Sequence, residues 1–534
     1  VSTRALEGES AYYAGVGLVV VALFVPRLLP CVDYPQHLAL SDVARRLFDP
    51  HAPEHREYEL NVFTYNGLFH LVVAALSRHV PIELAGRLAV ALSLIAMATG
   101  VLALVRTLGR PFTHAALFTP VLFSFSLGWG FANYTMASAV AVWASVYVAR
   151  FALRPSGSAA ATAGVLGLVC AFAHVLAMLI LCVFAAALAL DLSWRTAPSP
   201  RLGSRGLLHM ATRTTLALLP LLVGCVYCIA VYRRQYVWDP AMYRDPTIEG
   251  SAPPLWQKMV LFGSFALDLF GDATDQIVLW TAIGVMVWAV FARDRAPRRL
   301  DACREPPPTV LPLVFTAAAY LATPMVLVGT HLIFPRLGQW LVLAALLATP
   351  RFPAAVERRA SRHVAGLGLV AGANLLAHCA LFAWETNDAS AVIDDLPAGR
   401  AATAVIWDPW TVAFRNGTLT HLAAYYGARK HGQWAFAFAR YLSVPVRFKP
   451  NAQPAWPKRG WEFDAEAYDP RCKYARAFPL VVVKAPSSLP RGASGEPILR
   501  RLVFKEDAAR VKLLSHHGRF WAFDTEGLPD DGTL

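Results

Sequence analysis

The sequence predicts a mostly α-helical polytopic membrane protein, with about eleven transmembrane helices, interfacial helices after the first span, and a C-terminal extracytoplasmic domain of mixed α and β structure. Three observations carry this. Of 534 residues, 56% are AVILMFWYC and 16% are charged, with a mean hydropathy of +0.43, whereas soluble chains run at roughly 45–50% apolar and about 25% charged. Apolar runs recur along most of the chain, the longer of them near the ~20 residues a bilayer crossing requires and several shorter. Arginines cluster in alternate loops, the asymmetry that orients membrane proteins. The same composition excludes disordered, collagen-like and disulfide-scaffold chains.

Taken in order, the first span is expected at Ala11–Leu29. A polar stretch from Pro30 to about Glu83 follows, with two helix-like pieces, Ser41–Leu47 and Tyr65–Ser77 (YNGLFHLVVAALS). The second is apolar on one face but carries Asn66 and His70, so both read as helices lying in the interface. Further spans are expected at Leu88–Val105, Ala115–Phe125, Ala137–Val148, Ala159–Phe172, Leu176–Leu190, Leu216–Val231, Ile277–Phe291, Leu311–Val328, Leu341–Ala348 and His363–Phe382. Beyond Trp384 the chain becomes polar and Pro-punctuated. Alternating runs at Ala404–Trp407, Val444–Phe448 and Leu480–Lys484 read as strands, Val511–Ser515 with Arg519–Phe523 as a hairpin, and Leu419–Ala428 as a helix. The expected division is therefore 1–384, membrane domain, and 385–534, outer domain.

Charge supplies the orientation. The net charge of +13 would suggest nucleic acid in a soluble protein, but most of it falls in short loops between spans, so no nucleic-acid partner is expected. With the N-terminus in the cytoplasm, eleven crossings place Arg106 and Arg110, Arg150 and Arg154, Arg195 to Arg213, Arg293 to Arg304, and Arg351 to Arg362 inside. The C-terminal domain then lies outside an inner (plasma) membrane. Only eight basic residues are Lys, seven of them beyond residue 400; such Arg and Ala richness points to a GC-rich bacterial genome. The eight cysteines form no framework. Cys225-Val-Tyr-Cys228 has CxxC spacing without the second pair a structural zinc site needs, and reads as packing.

The stretch most informative about chemistry is Asp33-Tyr34-Pro35-Gln36-His37-Leu38. An acid immediately after a span is costly unless used or paired. The bland alternative is a helix cap, with Asp33 accepting from free backbone N–H groups and Pro35 suiting the first turn. The early acid, the interfacial helices, and a span entered through Ala85-Gly86-Arg87-Leu88 and left through Arg106-Thr107-Leu108-Gly109-Arg110 resemble the GT-C superfamily of polytopic glycosyltransferases. The chain is also similar to a group of bacterial membrane proteins sharing DYP-x-HLA and a later GF-x-NY, here Gly130-Phe131-Ala132-Asn133-Tyr134. It departs from many GT-C members at Tyr65-Asn66-Gly67-Leu68, where they carry Pro-Pro-Leu. The resemblance covers residues 10–150 by order of elements.

The resemblance implies transfer of a sugar from a polyprenyl-phosphate carrier to an extracytoplasmic acceptor (glycan, lipid or protein), with membrane lipid as partner. It makes Asp33 the base, or an aid to metal or acceptor binding, so a divalent metal is a candidate cofactor, although no metal ligands are assigned. A carboxylate within hydrogen-bond reach can take the acceptor's proton during attack on the anomeric carbon; His37, four residues on, is its candidate partner. The departing phosphate requires positive charge. Candidates are Arg336, with His331 beside it, and the loop residues Arg233, Arg234, Arg244 and Lys258; each could equally be a snorkelling interfacial residue. Asp239, Asp245, Glu249, Asp268, Asp272 and Asp275 compete as a second acid. His174 reads as a hydrogen-bonded packing residue. The outer tryptophans, Trp407, Trp410, Trp434, Trp456, Trp461 and Trp521, read mainly as core. A non-catalytic assembly scaffold and a lipid or solute transporter are the competing classes; the near absence of mid-span acids and of an internal repeat argues against transport.

Overall fold

A computed structural model describes residues 3–196, 204–238, 253–293, 308–326, 331–352, 354–441, 443–454, 457, 460–490 and 492–528. The chain forms two compact units. One comprises Val1–Ala22, Val90–Leu127 and Ala132–Ala377; the other comprises Leu23–Ala89, Gly128–Phe131 and His378–Leu534. This differs from a division at residue 384, because residues 23–89 and 128–131 belong with the C-terminal part.

The first unit is helical, and the chain is that of an integral membrane protein. Among the described residues, six helical segments are long and apolar enough to cross a bilayer: Ile82–Thr107, Ala132–Leu153, Val175–Arg195, Ser204–Gln235, Thr274–Ala292 and Arg359–Asp395. Ile82–Thr107 and the last of them extend into the second unit. Five shorter apolar stretches accompany them: Glu9–Ala22, Phe112–Gly128, Gly157–Ala173, Leu311–Ala322 and Phe334–Ala348. Each expected span overlaps one of these eleven, though boundaries differ. The first helix stops at Ala22 rather than Leu29. The run at Ala115–Phe125 is broken into Phe112–Ala116, a 3-10 turn Thr119–Val121 and Phe125–Gly128, since Pro120 lacks an N–H for the ladder. Pro220 interrupts Ser204–Gln235 in the same way, at a 3-10 turn Leu219–Leu221.

Local chemistry explains the tightest packing. Ser156 starts helix Gly157–Ala173 by accepting the Ala159 N–H at 3.2 Å. His174 ends it in an extended conformation and starts the next helix, its Nδ1 accepting the Leu176 N–H at 3.1 Å. One residue thus serves as a helical hairpin's entire connection. Helix Ala132–Leu153 packs on both arms through buried Ala137, Ala141, Ala144, Ser145 and Ala152, small side chains that let membrane helices approach closely.

Among its described residues the second unit contains two sheets. Strand β1 (Tyr58–Leu60) pairs antiparallel with β4 (Val446–Phe448), Glu59 opposite Arg447. The larger sheet has the order β3-β2-β5-β7-β6, formed by β2 (Ala401–Ile406), β3 (Gln433–Trp434), β5 (Leu480–Lys484), β6 (Lys512–His517) and β7 (Phe520–Asp524). β2 runs parallel to β3 and β5, while β7 is antiparallel to both β5 and β6. The expected hairpin is present, as is the strand at Leu480–Lys484. A core of Trp461, Tyr468, Tyr474, Val481, Val483, Phe504, Trp521 and Phe523 covers the sheet. Trp434 is also buried, whereas Trp410 is exposed; Trp456 lies outside the described residues. Helix Glu496–Phe504 is not anticipated from the sequence.

Two helices of the early polar stretch are integral to this unit. Tyr34–Arg46 begins seven residues before the expected Ser41 and is buried from Tyr34 to Ala44. It packs on Leu68–Leu76 and on Leu422–Lys430. Leu68–Leu76 has nine residues, about 13 Å, too short to cross a bilayer.

Candidate active site at Asp33

Three short motifs converge on Asp33. Gly130 of the GF-x-NY segment has φ +96°, and a Cβ there would overlap the backbone nitrogens of Asp33 and Tyr34; only glycine allows that approach and that dihedral. The neighbouring carbonyls hold the loop, Gly128 accepting from the Val32 N–H at 3.2 Å and Trp129 from the Asp33 N–H at 2.9 Å. Gly86, in the Ala-Gly-Arg-Leu entry to the second span, likewise leaves room for the Tyr34 ring and Leu38. The DYP-x-HLA, GF-x-NY and AGRL segments are therefore one packed structure.

Asp33 occupies the N-cap position of helix Tyr34–Arg46, but its side chain makes no capping hydrogen bond. It turns instead to His421, Oδ1 lying 3.1 Å from Nε2. The other ring nitrogen, Nδ1, lies 2.6 Å from Oε1 of Glu462. His421 is buried, and Gln36 completes its surroundings. The Gln36 Nε2 lies 3.3 Å from His421 Nδ1 and donates to the Phe436 carbonyl at 3.0 Å, while its Oε1 accepts from Trp434 Nε1 at 2.8 Å. Phe438 and Phe463 meet the His421 ring edge-on at 5.3 and 6.2 Å.

Burial by itself would drive the His421 imidazolium to release its proton. The Glu462 charge, the Asp33 and Glu462 hydrogen bonds and the Asp33 charge outweigh it, and the pKa is pushed up to about 10. At neutral pH the site is thus an imidazolium between two carboxylates. The position between them that a divalent cation would neutralise is taken by the ring. Among the described residues, no group of three His, Cys, Asp or Glu side chains is arranged to hold a metal.

The remaining expected site residues fall elsewhere. His37 is not the side-chain partner of Asp33. One turn along the helix, its Nδ1 lies 3.3 Å from His70 Nε2, and His70 Nδ1 lies 3.1 Å from the Ser41 hydroxyl; this is a buried cluster that fastens the two early helices together. Lys258 is not presented to a ligand either. It is buried, and its Nζ donates to the carbonyls of Leu321 and Thr323 at 2.7 and 2.6 Å, completing the end of helix Leu311–Ala322 as cations do at C-termini. Asp275 accepts from the Leu269 and Phe270 N–H groups, a capping role.

Arg336 sits in a 3-10 turn, Phe334–Leu337, and is buried. Its guanidinium lies 3.2 Å from His174 Nε2, donates to the His331 carbonyl at 3.1 Å and sits 5.8 Å over the Tyr134 ring. His174 is thus the hydrogen-bonded packing residue expected. The His331 side chain, Arg233 and Arg234 are exposed; Arg244, Asp239, Asp245 and Glu249 lie outside the described residues. The sequence reading missed His421 and Glu462, separated from Asp33 by some 400 positions; the sole local hint was a histidine at the start of the one expected helix of the outer domain.

Helical spans, a sheet-containing unit and an acid after the first helix describe a polytopic membrane protein. Among solved structures the chain is similar to ArnT from Cupriavidus metallidurans bound to undecaprenyl phosphate, with a TM-score of 0.51 and 13% identity over 96% of this chain and 97% of that one. The apo state of that ArnT aligns over 98% of each chain at a TM-score of 0.48 and 14% identity. No family model and no curated protein matches the chain. The shared feature is the fold.

Proposed function

We propose that this protein is a membrane glycosyltransferase that moves a sugar from a polyprenyl-phosphate carrier to an acceptor outside the inner membrane, by an inverting attack assisted by Asp33. The observation that carries this reading is the pairing of Asp33 with His421 and Glu462 on a fold shared with a protein crystallised with undecaprenyl phosphate. Asp33 takes the proton of the attacking hydroxyl or amine as the new glycosidic bond forms. Protonation of Asp33 would strand a buried imidazolium if no other acid faced it. Glu462, on the opposite ring nitrogen, keeps that cation paired throughout, which makes the proton transfer tolerable. His37, through His70 and Ser41, positions the helix that begins at Asp33.

The bond from the anomeric carbon to the carrier phosphate breaks as the new one forms, and negative charge grows on the phosphate. Arg336 is the best candidate to meet it, its guanidinium preoriented by the His331 carbonyl; Arg233, Arg234 or Arg244 supplies the second cation. The N-terminus is cytoplasmic and residues 385–534 face outward, as the arginine asymmetry supports; an alkaline phosphatase fusion after Leu534 should be active.

The test is transfer by the reconstituted protein from a panel of polyprenyl-phosphate sugars, with product configuration read by NMR. Inversion at the anomeric carbon, lost in Asp33→Asn, is expected. Retention of configuration, or equal turnover by Asp33→Asn, would overturn the reading.

A further inference from the structure

Toward the C-terminal end of helix Ile82–Thr107, the first unit carries a groove of about 440 Å³ bounded by Tyr13, Thr99, Leu102, Arg106, Trp143 and Arg150. Its construction is regular. Thr99, Leu102, Ala103 and Arg106 recur at helical spacing on one face of Ile82–Thr107, and Trp143 and Arg150 on one face of Ala132–Leu153. Both arginines stand in the last turn of their helix, with Tyr13 of the first helix beside them. Gly100 permits the close approach, since a Cβ there would meet the Trp143 indole at 3.1 Å. The indole is fixed, Nε1 donating to the Ala96 carbonyl at 3.0 Å.

We propose that this groove binds an anionic phospholipid, its phosphate between Arg106 and Arg150 and its acyl chains along Leu102, Ala103 and Trp143. Both guanidinium-bearing residues are exposed. Among the described residues the one carboxylate paired with them is Glu9, 2.8 Å from Arg106, so the rim keeps a positive charge. Arg150 lies over the Tyr147 ring at 5.0 Å, leaving its planar fork directed by an aromatic face. Trp143 and Arg150 are seven positions apart, about 10 Å of helix, so the groove runs from charged rim to apolar floor. Leu92 and Ile95 are exposed on helix Ile82–Thr107, a surface acyl chains would continue to cover. A soluble anion would satisfy the rim and leave the floor unfilled; a basic pocket between spans suits a lipid headgroup.

The test uses the intact protein purified in a neutral detergent and given phosphatidylglycerol, phosphatidylcholine of the same acyl chains, or inorganic phosphate. Native mass spectrometry reads bound lipid, and a thermal scan reads Tm. Phosphatidylglycerol should be retained about tenfold better than phosphatidylcholine, and the preference should vanish in Arg106→Gln/Arg150→Gln. Should the double variant fold poorly, Arg150→Gln alone should lower the preference severalfold, and Arg150→Lys should restore part of it. Equal retention of the two lipids by the unaltered protein, an unchanged preference in the variants, or an equal rise in Tm from inorganic phosphate alone would overturn the proposal.

Discussion

Helices Tyr34–Arg46 and Leu422–Lys430 run side by side in the same direction, joined at their start by Asp33 and His421 at 3.1 Å and at their end by Asp42 and His431 at 3.0 Å. The partners are the same; the surroundings are opposite. Asp42 is fully buried, and Arg45 and Arg46 stand 2.8 and 3.1 Å from its oxygens. Burial would raise its pKa, but the His431 hydrogen bond and the Arg46 and Arg45 contacts hold it below the usual carboxylate range. An acid so surrounded stays ionised and acts as a latch. At the other end the histidine is the buried member, faced by two acids, and the Asp33 side chain keeps 15% of its surface open. There the shared cation is the imidazolium, and Asp33 is the member left partly open to its surroundings. Neighbouring charge therefore decides which member of an Asp–His pair is buried and which is left open, and on the proposed function the open acid is the base.

The largest effect that would break this contrast is on turnover. Asp33→Asn retains shape and removes the base, so kcat should fall roughly 10²–10⁴-fold while the thermal midpoint changes little. Glu462→Gln should also lower kcat, since the proton transfer would then leave His421 unpaired. Comparable activity in both variants would make the start of the helix pair a second latch.

Next is a loss of stability at the other end. Asp42→Asn removes one partner of a buried network and should cost about 3 kcal/mol in denaturant unfolding, with kcat per folded molecule preserved. A stable Asp42→Asn protein that had lost activity would reverse the assignment of the two ends.

The pH dependence sharpens the comparison further. His421 has a folded pKa above its unfolded value, so its contribution to stability is complete below about pH 6.5 and disappears as pH rises through about 10. Asp42 has a folded pKa below its unfolded value, so its contribution is present above about pH 4 and is lost as pH falls through the lowered folded value. Melting followed against pH should show an alkaline decline that Glu462→Gln moves to lower pH and an acid decline that Asp42→Asn removes. The smallest effect expected is from Arg336→Lys, about tenfold in kcat/KM for the carrier-linked donor, because a point charge does not replace a planar fork.

Long apolar runs, arginine asymmetry and two-residue alternation are local signals, and they made the helical stretches, the β6–β7 hairpin and β5 readable from the chain alone. Asp33 was legible for the same reason: an acid beside a span is conspicuous whatever it touches. Pairing of β1 with β4 was not, since a three-residue strand near residue 60 holds nothing that specifies a partner near 446. His37 lies one turn from Asp33, but the packing of helix Leu68–Leu76 gives its ring His70 as a partner. Only tertiary packing brings His421 and Glu462 to Asp33, and only there do two carboxylates overcome desolvation and keep an imidazole charged. The reason is physical: secondary structure follows from side chains within a few residues, whereas the charge state of a buried group depends on every charge within a few ångströms, however distant along the chain.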